Sequence, residues 1–541
     1  MKIYCPSKLL VFAVDIKWVS ILLMDNPWDR RLGFWWIAED QPELPAILEG
    51  PDGPRTYGEL AGDAHQIANL FRSLGANAGD AVGVLADNGN TLIECSLAAH
   101  ESGLRLIPLN THLTAHELAA IMEHSGAKVL VIGERFTGLL DGLDAGGLGL
   151  AVVAVGSIPG VRSLADIRTE QPRTPPTDRR PGGLFVYTSG TTGRPKGIRR
   201  PIPDGDVGQI ANDSATFGRA FDFRPFEGPM LVSTGMFHGG SHSYYMGGLH
   251  VGHALVIMAK FEPERTLQLI EQHKVRTGYM VPTQFHRLLQ LPEDVRDRYD
   301  VSSLHAVVHS AAPCPRPVKE QMMAWWGPVI WETYGGMEGA ATIAKPHRWL
   351  EKPGTVGRAV RGVRLFVLDD DGNELPAGEV GNIYMDNGVG FSYHDDPDQT
   401  ESAFKGKRFS LGDIGYLDSD GYLFISDRAK DMIITGGTNV YPAEIEAALL
   451  EHPKVADAGV IGIPDPDWGE TITAVVQLKP GVQPTDELQV ELIAFCKERL
   501  ASYKVPRRWE FRDDLPRTEA GKLYKRKIRD EYVAATNTAW T

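Results

Sequence analysis

Cysteine is scarce. Only Cys5, Cys95, Cys314 and Cys496 occur in 541 residues, and no two form a C-x-x-C pair. That spacing argues against a disulfide framework and a cysteine-ligated zinc, and it fits a reducing compartment. Positive charge is in deficit: Lys plus Arg total 55 against 70 for Asp plus Glu, a formal net charge of −15. Such a balance disfavours a surface built for non-specific nucleic-acid binding. Long apolar runs are missing too. The stretch 1–24 comes nearest, but its longest run, Leu9 to Val14, is six residues, and Asp15 and Lys17 break the chain beyond it. A membrane span needs about 18 or more nearly uncharged apolar residues, and no A-x-A-like cleavage site marks an export signal. The stretch is read as an appended extension with Met24 as the expected initiator, and the protein as cytoplasmic. The rest is 43% hydrophobic and 23% charged, enough to bury a large core in about two to four domains.

From about residue 60 to 335, β-rich runs alternate with helix-like segments. Ala81–Leu85, Arg105–Leu109, Lys128–Ile132, Ala151–Val155 and Leu184–Thr188 read as buried strands. Asp63–Leu74, Thr91–Ser102 and Thr114–Ser125 read as helices, the last opened by a capping box of Thr114 and Glu117. The alternation continues through Ala254–Met258, Pro263–His273, Thr277–Val281 and His305–His309, which implies parallel sheets covered on both faces. Past residue 355, Arg364–Leu368, Glu379–Met385 and Tyr422–Ser426 lie between Asp/Gly turns and read as a mainly antiparallel unit. Ser157–Arg180 reads as a Pro-rich connection. The fold class is α/β. A large N-terminal domain over 25–429 holds two mixed or parallel sheets, flanking helices and a small β unit. A small α+β domain over 430–541 comes next, with helices near Pro442–Glu451 and Asp486–Leu500.

The chain after Leu184–Thr188 reads Ser189-Gly190-Thr191-Thr192-Gly193-Arg194-Pro195-Lys196-Gly197. Its glycines let backbone N–H groups close around an anion as a nest. Thr188, Ser189, Thr191 and Thr192 add hydroxyl donors, and Arg194 and Lys196 add charge, a combination suited to a polyphosphate. It is not a Walker A loop, because no Ser or Thr succeeds the Lys. The string resembles the phosphate-binding signature of the adenylate-forming enzymes, which include acyl-CoA synthetases, luciferases and peptide-synthetase adenylation domains. The resemblance extends in order over about residues 25–530.

Tyr334-Gly335-Gly336-Met337-Glu338 resembles the family's Y-G-x-T-E segment. The likeness implies that Tyr334 stacks on adenine beside Gly335 and that Glu338 holds Mg²⁺. Met337 departs from the pattern, standing where a Thr hydroxyl normally meets the α-phosphate. Ala311-Ala312-Pro313 resembles the G-A-P adenine-pocket segment, with Ala311 in place of Gly. Ser410-Leu411-Gly412-Asp413 resembles T-G-D, whose Asp binds the ribose hydroxyls. Asp427–Asp431 is similar to the interdomain hinge, with Arg428 reaching ribose or phosphate and Lys430 as pivot, so the C-terminal domain is expected to move. Gly436 and Gly437 belong to a segment that resembles the loop lining the CoA channel. Pro516–Lys522 is similar to P-x-T-x-x-G-K, whose Lys drives adenylation. Phe237-His238-Gly239-Gly240 resembles the segment beside the acyl site, where His238 gates the channel or meets the carboxylate and Met337 adjoins the pocket. Tyr279–Thr283 resembles the segment opposite.

The resemblance implies a two-step reaction. A carboxylate attacking the α-phosphate of ATP is one anion approaching another, so positioning and charge neutralisation carry the step. Mg²⁺ at Glu338 would bridge phosphate oxygens, and Lys522 would steady the carboxylate and the α-phosphate. Acyl-AMP and pyrophosphate result, and the thiol of CoA then displaces AMP. The expected substrate is an apolar acid, either a medium- or long-chain fatty acid or a bulky alicyclic one such as a steroid or terpenoid side chain. The expected partners are small molecules, the acid, ATP and CoA, with a homodimer left open. Ser502–Pro506 resembles the A-x-Y-K-x-P segment of free-standing CoA ligases, and with 19 residues after Lys522 no carrier domain is expected.

The other readings are an acyl-AMP ligase serving a carrier protein, an enzyme of one half-reaction, and a non-catalytic nucleotide-binding protein. His238, His242, His250 and His253 raise a metal hydrolase, although glycines at 239, 240, 247, 248 and 252 weaken any helix that would present them. Gly239–Ser243 lacks the final Gly of a G-x-S-x-G nucleophile elbow.

Overall fold

The computed structural model describes residues 26–188, 196–428, 431–435, 438–465, 468–517 and 523–537. A seven-stranded sheet forms where the alternation predicts it. Ala81–Leu85 runs between Arg105–Pro108 and Val129–Gly133, parallel to both, and all five of its residues are buried. A continuous apolar run is what a strand covered on both faces requires. The covering helix Tyr57–Ser73 begins six residues before the expected Asp63 because Thr56 caps it. Thr56 Oγ1 accepts from the Glu59 N–H at 3.2 Å, and the Glu59 carboxylate accepts from the Thr56 N–H at 2.9 Å. The same reciprocal box opens Ala115–Ser125, as its sequence predicts. A short helix, Leu164–Arg168, interrupts the stretch expected to be loop. At one edge Gly183–Thr188 is antiparallel to Lys196–Arg199, with Thr188 opposite Lys196, and Ser392–Tyr393 pairs outside it.

The second sheet has 15 strands. Its parallel part runs in the spatial order Pro45–Glu49, Leu255–Ile257, Met230–Val232, Thr277–Met280, Ala306–His309, Ile330–Gly336. Polarity changes at Ile330–Gly336, which is parallel to Ala306–His309 and antiparallel to Gly339–Ala344 across a turn of only Met337 and Glu338. Antiparallel pairing continues through Gly357–Ala359, Tyr422–Arg428 and Asp413–Leu417. The small β unit is therefore hydrogen-bonded into the large sheet. Tight turns join Ile330–Gly336 to Gly339–Ala344 and Asp413–Leu417 to Tyr422–Arg428, whereas a parallel neighbour would need a crossover.

Residues 239–250 overturn the expectation of a broken helix. Gly239–His250 is one helix, although each interior glycine costs about 1 kcal/mol relative to alanine. Close neighbours explain the choice. A Cβ at Gly247 would lie 2.8 Å from the Phe217 ring, at Gly248 2.7 Å from Met230 Sδ, and at Gly240 2.9 Å from the Tyr279 hydroxyl. Tight burial of the helix outweighs its propensity. The C-terminal five-stranded sheet carries the helices Pro442–Leu450, Asp486–Arg499 and Lys525–Asn537, over a core that includes Ile433, Ile445, Leu449, Val460 and Leu492. No helix among the described residues is long and apolar enough to cross a membrane.

Candidate active site

Ile330–Gly336 changes character along its length. Ile330, Trp331 and Glu332 are buried, Tyr334 is half-buried, and Gly335 and Gly336 are exposed. The strand thus carries Tyr334 out of the core to an open end. There its hydroxyl donates to Asp413 Oδ2 at 2.7 Å. Asp413 is buried, opens the strand Asp413–Leu417 and lies opposite Arg428 in register. The side chains expected to hold adenine and ribose are therefore joined. Gly335 is required by the hairpin, since a Cβ there would lie 2.6 Å from the Gly339 carbonyl oxygen.

The two turn residues meet different neighbours. Glu338 Oε1 accepts from the Tyr393 hydroxyl at 3.1 Å, and Oε2 fills the place a Cβ on Gly336 would take. Lys196 Nζ lies 5.7 Å from the centre of the Tyr393 ring. A carboxylate with one oxygen to spare near Lys196, where the described chain resumes after the glycine-rich string, suits Mg²⁺, which binds through one or two carboxylates and completes its shell with phosphate and water. Met337 packs elsewhere. Its thioether takes the space a Cβ on Gly239 would need, and it packs on the cluster of Ile198, Ala341, Met385, Phe391 and Phe409. An apolar surface thus stands where the family pattern has a hydroxyl.

Gly239 begins the helix whose N-cap residue is His238, and the rings of Phe237 and His238 are 4.2 Å apart. Deeper in, Tyr244 stacks on Tyr279 at 4.4 Å and 9°, and the Tyr279 hydroxyl is 2.8 Å from Ser310 Oγ. Tyr244, Tyr245 and Met246 are all buried, so this segment is core wall. Beside Ser310, Ala311 holds φ +74°. That left-handed conformation costs an L-residue about 1–2 kcal/mol and explains why the G-A-P pattern begins with Gly. Ala312 and Pro313 come next in the same loop.

Thr188 and Arg428 are placed by backbone register alone. Ser189, Gly190, Thr191, Thr192, Gly193, Lys430, Gly436, Gly437 and Lys522 lie outside the described residues. Tyr393 escaped the sequence reading because its place beside Glu338 depends on pairing with Lys196–Arg199, nearly 200 residues earlier.

The histidines do not assemble a metal centre. His242 Nε2 donates to Ser96 Oγ at 3.0 Å, since that hydroxyl is itself donated to the Leu92 carbonyl. His250 Nδ1 accepts from the Phe34 N–H at 3.2 Å. His253 donates from Nε2 to the Arg224 carbonyl at 2.8 Å and accepts at Nδ1 from Thr277 Oγ1. Ser241 Oγ is paired with Thr234 Oγ1.

Burial holds the pKa of His250 down to about 3 and those of His100 and His253 to about 4. An unfolded chain takes up these protons near pH 6.5 and the native state refuses them. Stability is therefore full above about pH 6.5 and declines as pH falls toward 4, by on the order of 2 kcal/mol per histidine at pH 5. Thermal melts should drop between pH 7 and pH 5, with a shallower slope in His253→Gln. A melting temperature independent of pH over that range would refute this linkage.

Two family descriptions match the chain: AMP-binding enzyme over residues 34–390 and AMP-binding enzyme C-terminal domain over residues 444–522. The chain belongs to the AMP-binding enzyme family. Similarity runs along nearly its whole length. The 2-succinylbenzoate–CoA ligase of Geobacillus kaustophilus is 34% identical over 501 residues, covering 91% of this chain and 97% of that protein. The fatty acid–[acyl-carrier-protein] ligase ScoC of Streptomyces coeruleorubidus is 32% identical over 503 residues, covering 92% and 95%. Among solved structures, the anthranilate CoA ligase AuaEII in complex with anthranoyl-AMP matches with a TM-score of 0.82 at 26% identity, over 94% of this chain and 99% of that one. The chain is an adenylate-forming acid–thiol ligase.

Proposed function

We propose that this AMP-binding enzyme activates an apolar carboxylic acid with ATP and transfers the acyl group to CoA. The observation that carries the reading is the open end of Ile330–Gly336. There the Tyr334–Asp413 pair provides a nucleoside seat, and Glu338 stands near Lys196, where the described chain resumes after the glycine-rich string. A carboxylate oxygen of the acid attacks the α-phosphorus, the bond to the β-phosphate oxygen breaks, and pyrophosphate leaves. Glu338 would hold Mg²⁺, which would supply charge neutralisation on the phosphates. Tyr334, the Ala311–Pro313 loop and Asp413 hold adenine and ribose, and Arg428 reaches ribose or phosphate. Lys522 draws the two anions together. In the second step the thiol attacks the acyl carbon, loses its proton, and the bond to AMP breaks. Withdrawal of Lys522 by rotation about Lys430, with Gly436 and Gly437 brought to the thiol channel, separates the steps.

The acid faces Phe237, His238, Gly239 and Met337. Three of these walls are apolar or lack a side chain, which supports a medium- or long-chain fatty acid or a bulky alicyclic one. Likeness to an acyl-carrier-protein ligase over 92% of the chain favours a second reading in which a carrier protein takes the acyl group. The test is mass spectrometry of products from ATP, Mg²⁺, CoA and a panel of short to long fatty, aryl, steroid and terpenoid acids. Acyl-CoA with AMP is the expected result, and its mass names the acid. Acyl-AMP that accumulates without thioester would overturn the CoA assignment in favour of a carrier protein.

A further inference from the structure

Three segments far apart in the chain meet at Tyr393. Its two-residue strand lies antiparallel to Lys196–Arg199, with Tyr393 opposite Ile198. Residues directly opposite share a face of the sheet, as do those two positions along, so the Tyr393 ring stands on the face that carries Lys196. The ring is fixed from behind by Phe391, edge-on at 5.5 Å. Phe391 is in turn packed on Phe404 and Phe409. In front, the hydroxyl donates to Glu338 Oε1, and Lys196 Nζ lies over the ring.

We propose that Tyr393 is a positioning residue for Glu338, holding one carboxylate oxygen so that the other is presented to the metal ion of MgATP. The proposal rests on the metal role given to Glu338 above. Mg²⁺ demands near-octahedral oxygen geometry and tolerates misplacement poorly. A carboxylate at a two-residue turn has few neighbours to set its rotamer, and here two are present. Tyr393 takes Oε1, and the bare Cα of Gly336 leaves room for Oε2. A hydrogen bond to a charged group that is kept only in the productive rotamer is worth about a tenfold preference for that rotamer. Tyr393 touches neither substrate nor metal, and its effect passes through Glu338.

The decisive measurement is Mn²⁺ affinity in the presence of ATP, monitored by electron paramagnetic resonance on the full-length protein, with Mn²⁺ standing in for Mg²⁺. Tyr393→Phe should weaken Mn²⁺ binding about tenfold. Its rate of pyrophosphate formation should fall at low Mg²⁺ and recover at saturating Mg²⁺, a shift in the metal requirement that a folding defect would not produce. Gly336→Ala, which leaves Tyr393 in place and evicts Oε2, should weaken Mn²⁺ similarly and serves if Tyr393→Phe fails to fold. Glu338→Gln separates the metal role from the positioning role. If it binds Mn²⁺ as the wild type does, the metal role of Glu338 is wrong. If it loses Mn²⁺ while Tyr393→Phe and Gly336→Ala keep wild-type affinity, the metal role stands and the positioning role is overturned.

Discussion

Lys522→Ala is expected to slow acyl-AMP formation by about three orders of magnitude while sparing thioester formation from supplied acyl-AMP. The asymmetry arises from charge. In the first step two anions must meet, and an ammonium aimed at the developing charge in a water-poor site is worth about 10²–10³ in rate, or roughly 3–4 kcal/mol. In the second step the nucleophile is a thiol and AMP departs, so a cation between carboxylate and α-phosphate has nothing left to join. The flanks of Lys522 are well anchored. Arg517 forks onto Asp457, with Nε to Oδ2 and Nη2 to Oδ1 both at 2.6 Å. Arg517 and Leu523 pair across the segment, and Leu523 packs against the cluster of Ile461, Ile463, Val475, Leu515 and Ile528. Substitution at 522 therefore leaves the support intact. The check is pyrophosphate release from ATP and acid, set against acyl-CoA formation from synthetic acyl-AMP and CoA. Equal loss in both would remove the single-step role.

Features set by neighbours in sequence were legible. The capping box at Thr114 and Glu117 and the buried run Ala81–Leu85 depend on residues within a few positions of each other, whereas the change to antiparallel pairing, expected past residue 355, comes earlier, at the Met337–Glu338 turn. Tyr334, Glu338 and Asp413 were singled out by resemblance to the family's motifs, and the fold brings Tyr334 to Asp413 and Glu338 to the turn that follows Tyr334's strand. The features that escaped depend on contacts between distant segments. Gly239–His250 was misjudged because propensity counts four glycines as four penalties. Phe217, Met230, Tyr279 and Met337 make each of them a condition for packing. Met337 could be seen as a lost hydroxyl but not as a side chain laid against Gly239. Tyr393 carried no motif of its own, and only strand pairing sets it beside Glu338.

Breaking the ion pair between Lys319 and Glu332 should cost about 3–5 kcal/mol of stability. Lys319, on the helix Arg316–Trp326, is fully buried and donates from Nζ to Glu332 Oε2 at 2.6 Å. Glu332 lies two residues before Tyr334 on the same strand. Lys319→Met keeps the length of the side chain but strands a carboxylate in the core, and this uncompensated charge is the costly part. Replacing both partners with apolar groups, Lys319→Met with Glu332→Leu, should recover most of the loss, because the desolvation penalty disappears along with the attraction. For a domain of about 400 residues the single variant should lower the melting temperature by roughly 5 °C. Lys319 Nζ lies 4.6 Å over the Trp349 ring, so Lys319→Met also removes that cation–π contact.

His309 gives the loss a pH dependence. Its Nε2 is 3.5 Å from Glu332 Oε2, and burial together with the Lys319 charge holds its pKa well below the usual range. The ring of Phe285 lies edge-on to it at 5.5 Å, and the thiol of Cys314, which senses the Glu332 and Lys319 charges, is pushed up by burial and the Glu332 charge. Neither supplies a charge near neutrality. Without Lys319, the lone Glu332 carboxylate draws a proton onto His309. The native variant then binds one proton more than the native wild type, and its deficit shrinks as pH falls. Urea denaturation at pH 8 and pH 6 should therefore show a smaller gap between variant and wild type at the lower pH. A gap that is constant, or a double variant as unstable as the single one, would mean that the ion pair is not what stabilises this strand.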